Sequence, residues 1–187
     1  MIEVWEVARL LKNPQRRKLL RMVCECPDGL NVTIASDESS KLNISGASQY
    51  LKQLMKIGFI RRMKSGKYVN YTRNAINAPP EMREIAIKIE ERYRSRSGLA
   101  SVDERFVSCL PALANAERAR IAAYLHKVGP RPIDAVKSLF DMNYDSFARN
   151  IKSLLQCSLV EYDKSSNILK PIPQEDPITN LLLQSIT

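Results

Sequence analysis

A polar and basic segment, SQYLKQLMKIGFIRRMKSGKYVNYTRN at residues 48–74, has the composition of a binding surface. Its first half has helical spacing, with one apolar side that is predicted to face inward: Ala47, Leu51, Leu54 and Met55. The other side carries hydrogen-bonding groups and cations but no acid: Ser48, Gln49, Tyr50, Lys52, Gln53 and Lys56. Side chains of these types bind phosphate groups and the edges of bases.

The second half of the segment switches to an alternating pattern, which predicts a β-hairpin. FIRRMK and KYVNYTR are the predicted strands, and Ser65-Gly66 between them is a tight-turn signal. Basic side chains surround this turn: Arg61, Arg62, Lys64, Lys67 and Arg73. We expect Ser45 to cap the preceding helix and Gly58 to end it in the left-handed conformation.

The chain resembles itself at offsets of 102 and 100 residues. NPQRRKLLRMV from Asn13 resembles NAERARIAAYL from Asn115, and SQYLKQLMKIGFI from Ser48 resembles ARNIKSLLQCSLV from Ala148. Such internal similarity indicates a repeated structural unit. Each copy is predicted to run helix, helix, short helix, helix, strand, strand, which is the order of a winged helix-turn-helix.

The expected fold class is mainly α with small β-hairpins (α+β), in tandem winged helix-turn-helix domains joined by a helix. The predicted domains are 1–77, which binds DNA, and 105–187, a second winged helix with a C-terminal tail. The segment 78–104 is predicted to be a connecting helix and linker, with Met82, Ile85, Ile89 and Tyr93 on one face. This apolar face either packs on its own module or forms part of a dimer interface.

The positive charge is concentrated in the first module. The whole chain carries +9, of which residues 1–77 carry +8, residues 78–104 carry −1 and residues 105–187 carry +2. A basic segment attracts polyanions, because neutralising phosphates releases condensed counterions. A surface that merely keeps the protein in solution is the alternative explanation of this imbalance.

The run from Asn13 to Arg73, within about residues 9–74, resembles the ArsR-like winged helix-turn-helix regulators. The resemblance lies in NPQRRKLL, in SGASQYLKQLMKIGFI and in RRMKSGKYVNY. It implies dimers that read near-palindromic duplex DNA. It also implies that the following residues face the DNA: Ser45, Ser48, Gln49, Lys52 and Gln53. The wing residues Lys64 and Lys67 would flank it.

The chain differs from the family in two places. The metal-sensing branch of the family carries a cysteine cluster on its third helix, and the second copy of the module lacks the charge of the first. The third helix, NVTIASDESSKL, has no cysteine, and one CEC pair at 24–26 offers too few ligands for a closed zinc site. We therefore expect no metal and no cofactor. The second module has Asp145 in place of the helix-capping Ser45, and carries Glu161 and Asp163 on its hairpin, so its contact with DNA is expected to be weak or absent.

We therefore predict a sequence-specific transcriptional regulator that binds double-stranded DNA, and not an enzyme, since one histidine and no glycine-rich loop offer little for catalysis. It is expected to be a cytoplasmic homodimer, joined through the connecting helix or the second module, with no membrane contact. The predicted phosphate anchors are Arg61, Arg62, Lys64 and Lys67; the predicted base readers are Gln49, Lys52 and Gln53. Alternatives are a tandem winged-helix scaffold subunit of the chromosome-condensation accessory type, and a replication initiator.

Overall fold

The computed structural model describes residues 3–38, 42–95 and 99–186 of the chain. Helices make up most of the described residues, and the strands form two antiparallel sheets of three strands each. The predicted class, mainly α with small β-hairpins, is confirmed at this level. None of the described helices is long and apolar enough to cross a membrane.

The described residues divide into two compact units. Unit 1 holds those from Leu10 to Leu99, and unit 2 holds Glu3–Arg9 together with those from Ala100 onwards. Helix α1 (Val4–Leu11) therefore belongs mostly to unit 2, whereas the sequence analysis assigned all of residues 1–77 to one domain.

Unit 1 combines helices with one small sheet. Its elements are, in chain order, α2 (Pro14–Glu25), β1 (Leu30–Asn31), α3 (Val32–Glu38), α4 (Ile44–Lys56), β2 (Ile60–Ser65), β3 (Tyr68–Arg73), a 3-10 helix (Ala75–Asn77) and α5 (Pro80–Arg94). The sheet order is β1-β3-β2, and β2 and β3 form the predicted hairpin. Its turn, at Gly66 and Lys67, lies one residue later than predicted.

Asparagine side chains cap the N-termini of helices α2 and α4 in unit 1. The side-chain oxygen of Asn13 accepts the backbone N–H groups of Gln15 and Arg16 at 2.9 and 3.1 Å, and so caps α2. Asn43 caps α4 in the same way, because its oxygen accepts the N–H of Gly46 at 2.8 Å. The prediction that Ser45 caps α4 is therefore wrong. Asparagine caps at least as well as serine, and here it stands two residues earlier.

The core of unit 1 lies where α2, α4, α5 and the sheet meet. Its buried side chains include Leu19, Leu20 and Val23 of α2, Ala47, Leu51 and Leu54 of α4, Ile60 and Tyr71 of the hairpin, and Met82, Ile85, Ile89 and Tyr93 of α5. Met55 was predicted to face inward, but it is 38% exposed. Successive helical residues are about 100° apart around the helix axis. Met55 follows the buried Leu54 and therefore lies at the edge of the buried face of α4.

The apolar stripe of α5 is buried within unit 1. Helix α5 packs against α2 and against the short 3-10 helix that precedes it, and the residues of the stripe are almost completely covered. Of the two roles that the sequence left open for this face, packing on its own module is the one that the described residues support.

Unit 2, to which most of α1 also belongs, contains the same run of helix, strand, helix, helix, strand, strand that unit 1 shows from α2 to β3. Its elements are α6 (Leu99–Leu113), α7 (Ala116–Val128), β4 (Arg131–Pro132), α8 (Ile133–Leu139), α9 (Tyr144–Gln156), β5 (Val160–Asp163), β6 (Ile168–Pro171) and α10 (Pro177–Ser185). The sheet order, β4-β6-β5, matches that of unit 1. Asn115 and Asn143 cap α7 and α9, at the positions that Asn13 and Asn43 occupy in unit 1.

Gly58, which follows α4, combines a left-handed backbone with a close neighbour. Its φ is +80°, and a Cβ atom placed on it would lie 2.5 Å from Cδ of Pro79. Ser158, the equivalent residue of unit 2, also has a positive φ, of 51°. The left-handed conformation alone therefore does not require glycine here, and the contact with Pro79 is the additional constraint.

We expect Gly58→Ala to lower the free energy of unfolding of unit 1 by about 2–3 kcal/mol, because strain and a steric clash add together. Gly66→Ala is the matched control, since Gly66 also has a positive φ but a Cβ atom placed on it would meet nothing within 4 Å. This control should lose only about 1 kcal/mol. Urea denaturation of both variants measures the difference, and equal losses would contradict the steric argument.

Candidate nucleic-acid interface

Helix α4 presents one polar stripe to solvent. Its members recur at spacings of four, three and four residues, and all are exposed: Ser45, Gln49, Lys52 and Lys56. Side chains with this spacing lie on one face of a helix. We call these residues the α4 stripe. Ser48, which the sequence analysis also placed outward, is half-buried.

Tyr50 and Gln53 were predicted to face outward, but both are half-buried. The guanidinium carbon of Arg16, on α2, lies 5.0 Å from the centroid of the Tyr50 ring, which is a cation–π distance. The side-chain oxygen of Gln53 is buried and has no hydrogen-bond partner among the described residues. Tyr50 therefore lies at the contact between α4 and α2, and neither Tyr50 nor Gln53 belongs to the α4 stripe.

The same arrangement recurs in unit 2. Arg118 of α7 stands at the repeat position of Arg16, and its Nη1 donates a hydrogen bond to Oγ of Ser153 at 3.0 Å. Ser153 is in turn the repeat position of Gln53. An arginine between these two helices is thus a shared feature of the units. Sequence reasoning missed this feature, although the internal repeat aligns Arg16 with Arg118 and so carries a signal for it.

The hairpin of unit 1 adds exposed cations. Its predicted anchors are all exposed: Arg61, Arg62, Lys64 and Lys67. Cross-strand pairing sets Arg62 opposite Tyr71 and Arg61 opposite Thr72, so Arg61 and Arg62 lie on opposite faces of the ribbon. Nε of Arg61 donates to Oγ1 of Thr72 at 3.3 Å, which holds this side chain against its own strand pair.

The charge of this surface is not balanced by acids. Residues 43–74 contain seven Lys or Arg residues and no Asp or Glu. Among the side chains that the structure describes, no carboxylate lies within ion-pair distance of Lys52, Lys56 or Lys64. Arg73, at the base of the hairpin, differs because it pairs with Glu90 at 3.4 Å. The exposed stripe and hairpin are therefore suited to bind an anionic partner.

The equivalent surface of unit 2 has a different character. Oδ2 of Asp163 pairs with Nζ of Lys170 at 3.0 Å, and hydrogen bonds from Ser165, reinforced by Lys170, hold the pKa of Asp163 well below its usual range. Beside α9 lies a cavity of about 390 Å³ whose lining includes Tyr144 and Leu155. Tyr144 is 71% exposed. By the repeat, Glu161 stands where unit 1 has the cation Arg61, whereas Asp163, Tyr144 and Leu155 stand where unit 1 has Met63, Ile44 and Met55.

The cysteines do not assemble a metal site in the part of the chain that the structure describes. No group of three or more His, Cys, Asp or Glu side chains there could hold a metal ion. Burial raises the pKa of Cys24 to about 12, with a smaller contribution from Glu90, and burial raises that of Cys109 to about 11. Both thiols therefore stay protonated near neutral pH, and a protonated thiol is a poor metal ligand.

Comparison of the chain with known protein families, with curated proteins and with solved structures finds no match. The interpretation of the surface therefore depends on its own geometry and charge.

We expect Cys24 and Cys109 of the folded protein to react slowly with iodoacetamide at pH 8, because the thiolate is the nucleophile and burial disfavours it. The same residues in the urea-unfolded chain provide the control and should react at the rate of ordinary cysteines. Mass spectrometry of peptides after timed alkylation measures both rates. Equal rates in the folded and unfolded chains would contradict the burial of these thiols.

Proposed function

We propose that unit 1 binds double-stranded DNA as a winged helix-turn-helix, with α4 as the recognition helix and the β2–β3 hairpin as the wing. The observation that carries this proposal is the surface of residues 43–74, which has six exposed cations and no acid. A surface that serves only to keep a protein in solution usually mixes both signs of charge. A surface that contacts phosphates has a reason to exclude acids, since each one would repel the DNA.

The dimensions of α4 support insertion into the major groove. Its 13 residues are about 20 Å long at 1.5 Å per residue, and the groove is about 12 Å wide. In this arrangement Gln49 and Lys52 of the α4 stripe reach the base edges. Arg62, Lys64 and Lys67 of the hairpin contact the flanking phosphates. Gln53 has no base contact in this arrangement, because its side-chain oxygen is buried.

The biological role that follows is sequence-specific regulation of transcription in the cytoplasm, of the ArsR-like kind. Regulators of that kind act as dimers on near-palindromic sites. The apolar stripe of α5 is already covered by α2, so we assign homodimer formation to the second module rather than to the connecting helix. Sequencing of genomic duplexes captured by the protein would distinguish promoter binding from binding at a replication origin.

A second function, the binding of another polypeptide by unit 2, is favoured by one observation. The cavity beside α9 is lined in part by apolar side chains, and of its lining residues only Lys152 stands at a repeat position of the α4 stripe. Exposed apolar groups on a folded surface commonly mark interaction sites. This role is compatible with DNA binding by unit 1. If unit 1 bound no duplex at any salt concentration, a scaffold role for the whole chain would be the better explanation.

We expect the double variant Lys64→Ala and Lys67→Ala to weaken binding to all duplexes and to flatten its salt dependence. Loss of two phosphate contacts should reduce the slope of log K against log salt by about 1.8, since each contact contributes about 0.9. Fluorescence anisotropy across a salt series measures the slope. Lys164→Ala, in the hairpin turn of unit 2, is the control and should leave it unchanged. An unchanged slope in the double variant would refute the role of the wing.

We expect Gln49→Ala to relax the preference for one base pair of the bound sequence by about 1–3 kcal/mol, because an exposed amide that pairs with a base edge is lost. Gln53→Ala should keep the preference and change mainly the stability of unit 1. Selection from random duplexes, followed by sequencing, compares the two variants. Relaxed preference in Gln53→Ala but not in Gln49→Ala would reverse the assignment of the reading face.

A further inference from the structure

A second cationic feature lies at the base of the hairpin of unit 1. Cavities of about 400, 320 and 410 Å³ occur there, and Arg73 lines all three. We call the cavity of about 320 Å³ the Arg73 cleft. Its lining residues are Arg61, Arg73, Asn74, Ala75, Ile76, Asn77, Glu90 and Arg94. Its volume is within the range of small-molecule sites.

The Arg73 cleft carries an excess of positive charge. Arg61, Arg73 and Arg94 each contribute one guanidinium, and Glu90 contributes the single carboxylate of the lining, so the net charge is +2. One oxygen of Glu90, Oε1, lies 3.4 Å from Nη1 of Arg73 and 3.8 Å from Nη1 of Arg94. Two guanidinium groups therefore share one carboxylate oxygen. Each guanidinium has five N–H donors, so this shared contact leaves donors available.

Partial burial strengthens the field in the cleft. The side chains of Arg73 and Glu90 are 29% and 20% exposed, while that of Arg94 is 59% exposed. Charges that are partly removed from water are screened less by salt than fully exposed charges are. An anion that entered the cleft would meet Arg73 in this sheltered setting and Arg94 at its open side.

The fold itself does not require these arginines, as the repeat shows. Arg73 pairs with Ile60 across the hairpin, and the equivalent pair in unit 2 is Pro171 with Val160. The residue after Ile60 is Arg61, whereas the residue after Val160 is Glu161. Unit 2 therefore forms the same sheet without either arginine. A role in binding accounts for their presence in unit 1 better than a role in folding does.

We propose that the Arg73 cleft binds the phosphate group of a small molecule, such as a phosphate monoester. The guanidinium groups of Arg73 and Arg94 come from two different elements, β3 and α5, and both lie beside Oε1 of Glu90, so they can approach one tetrahedral dianion from two sides. Arginine is the preferred partner of phosphate because its planar group donates two parallel hydrogen bonds. This site does not depend on DNA binding by α4, and a phosphate of the DNA backbone is the competing source of the same chemistry.

Isothermal titration calorimetry at low ionic strength, with inorganic phosphate and with glycerol 3-phosphate as probes, tests the proposal. We expect Arg73→Gln and Arg94→Gln each to weaken binding by about tenfold, the equivalent of one charge-assisted hydrogen bond. Glu90→Gln should tighten binding several-fold, because it removes the carboxylate that competes with the ligand. Arg83→Gln is the matched control: it removes an exposed arginine of α5 that lies outside the lining of the cleft, and it should leave phosphate binding unchanged.

Circular dichroism and thermal melting establish that each variant is folded. If Arg73→Gln does not fold, the opposite effects of Arg94→Gln and Glu90→Gln still decide the question, because Arg94 is largely exposed. Absence of binding at millimolar concentrations of either probe would overturn the proposal. Binding that is equally strong in the Arg94→Gln and Glu90→Gln variants would overturn it as well.

A separate arm with duplex DNA distinguishes the two sources of phosphate. If Arg73→Gln weakens duplex binding while neither small phosphate binds the wild-type chain, the cleft contacts the DNA backbone and the proposal is wrong. Failure of the DNA proposal is measured independently, by the wing variants at Lys64 and Lys67, which lie outside the cleft.

Discussion

The rotation of α4 about its own axis is the constraint on which the candidate interface depends. Ala47, Leu51 and Leu54 are completely buried, and each leucine contributes about 1.5–3 kcal/mol relative to an exposed position. Because these side chains fix one face of the helix against the core, the residues on the opposite face are exposed to solvent. Lys52 and Lys56 are exposed for this reason, and their charges stay without a described acidic partner.

Comparison of the two units distinguishes the features that the fold requires from those that can vary. Asparagine caps, buried apolar residues at matching positions and the sheet order are common to both. The exposed charges are not, since Arg61 of unit 1 corresponds to Glu161 and Ser45 to Asp145. Because the charge of the surface differs between the two units while the fold is the same, folding does not determine that charge. The concentration of cations in unit 1 therefore calls for an explanation in terms of binding.

Local patterns predicted most of unit 1. Helical spacing gave the buried side of α4 except for Met55, and alternation with a glycine turn gave the hairpin to within one residue. Apart from the cap of α4, which is Asn43 and not Ser45, what sequence reasoning missed depends on contacts between distant residues. The pairing of Arg73 with Glu90 joins a strand to a helix 17 residues later, and the stacking of Arg16 on Tyr50 joins two helices. No spacing rule reports such a contact.

The Arg73 cleft and the wing belong to one hairpin, and this has an electrostatic consequence if both proposals hold. Arg73 ends β3 opposite Ile60, and Arg61 follows directly in β2, so a dianion in the cleft would neutralise charge at the base of the strands that carry Lys64. Less positive charge near the wing means fewer counterions released on binding, and so weaker DNA affinity. Coupling between two sites is reciprocal: bound DNA would weaken the phosphate ligand by the same factor. A bound phosphate compound would then weaken DNA binding without any change in the fold, because charge alone connects the two sites.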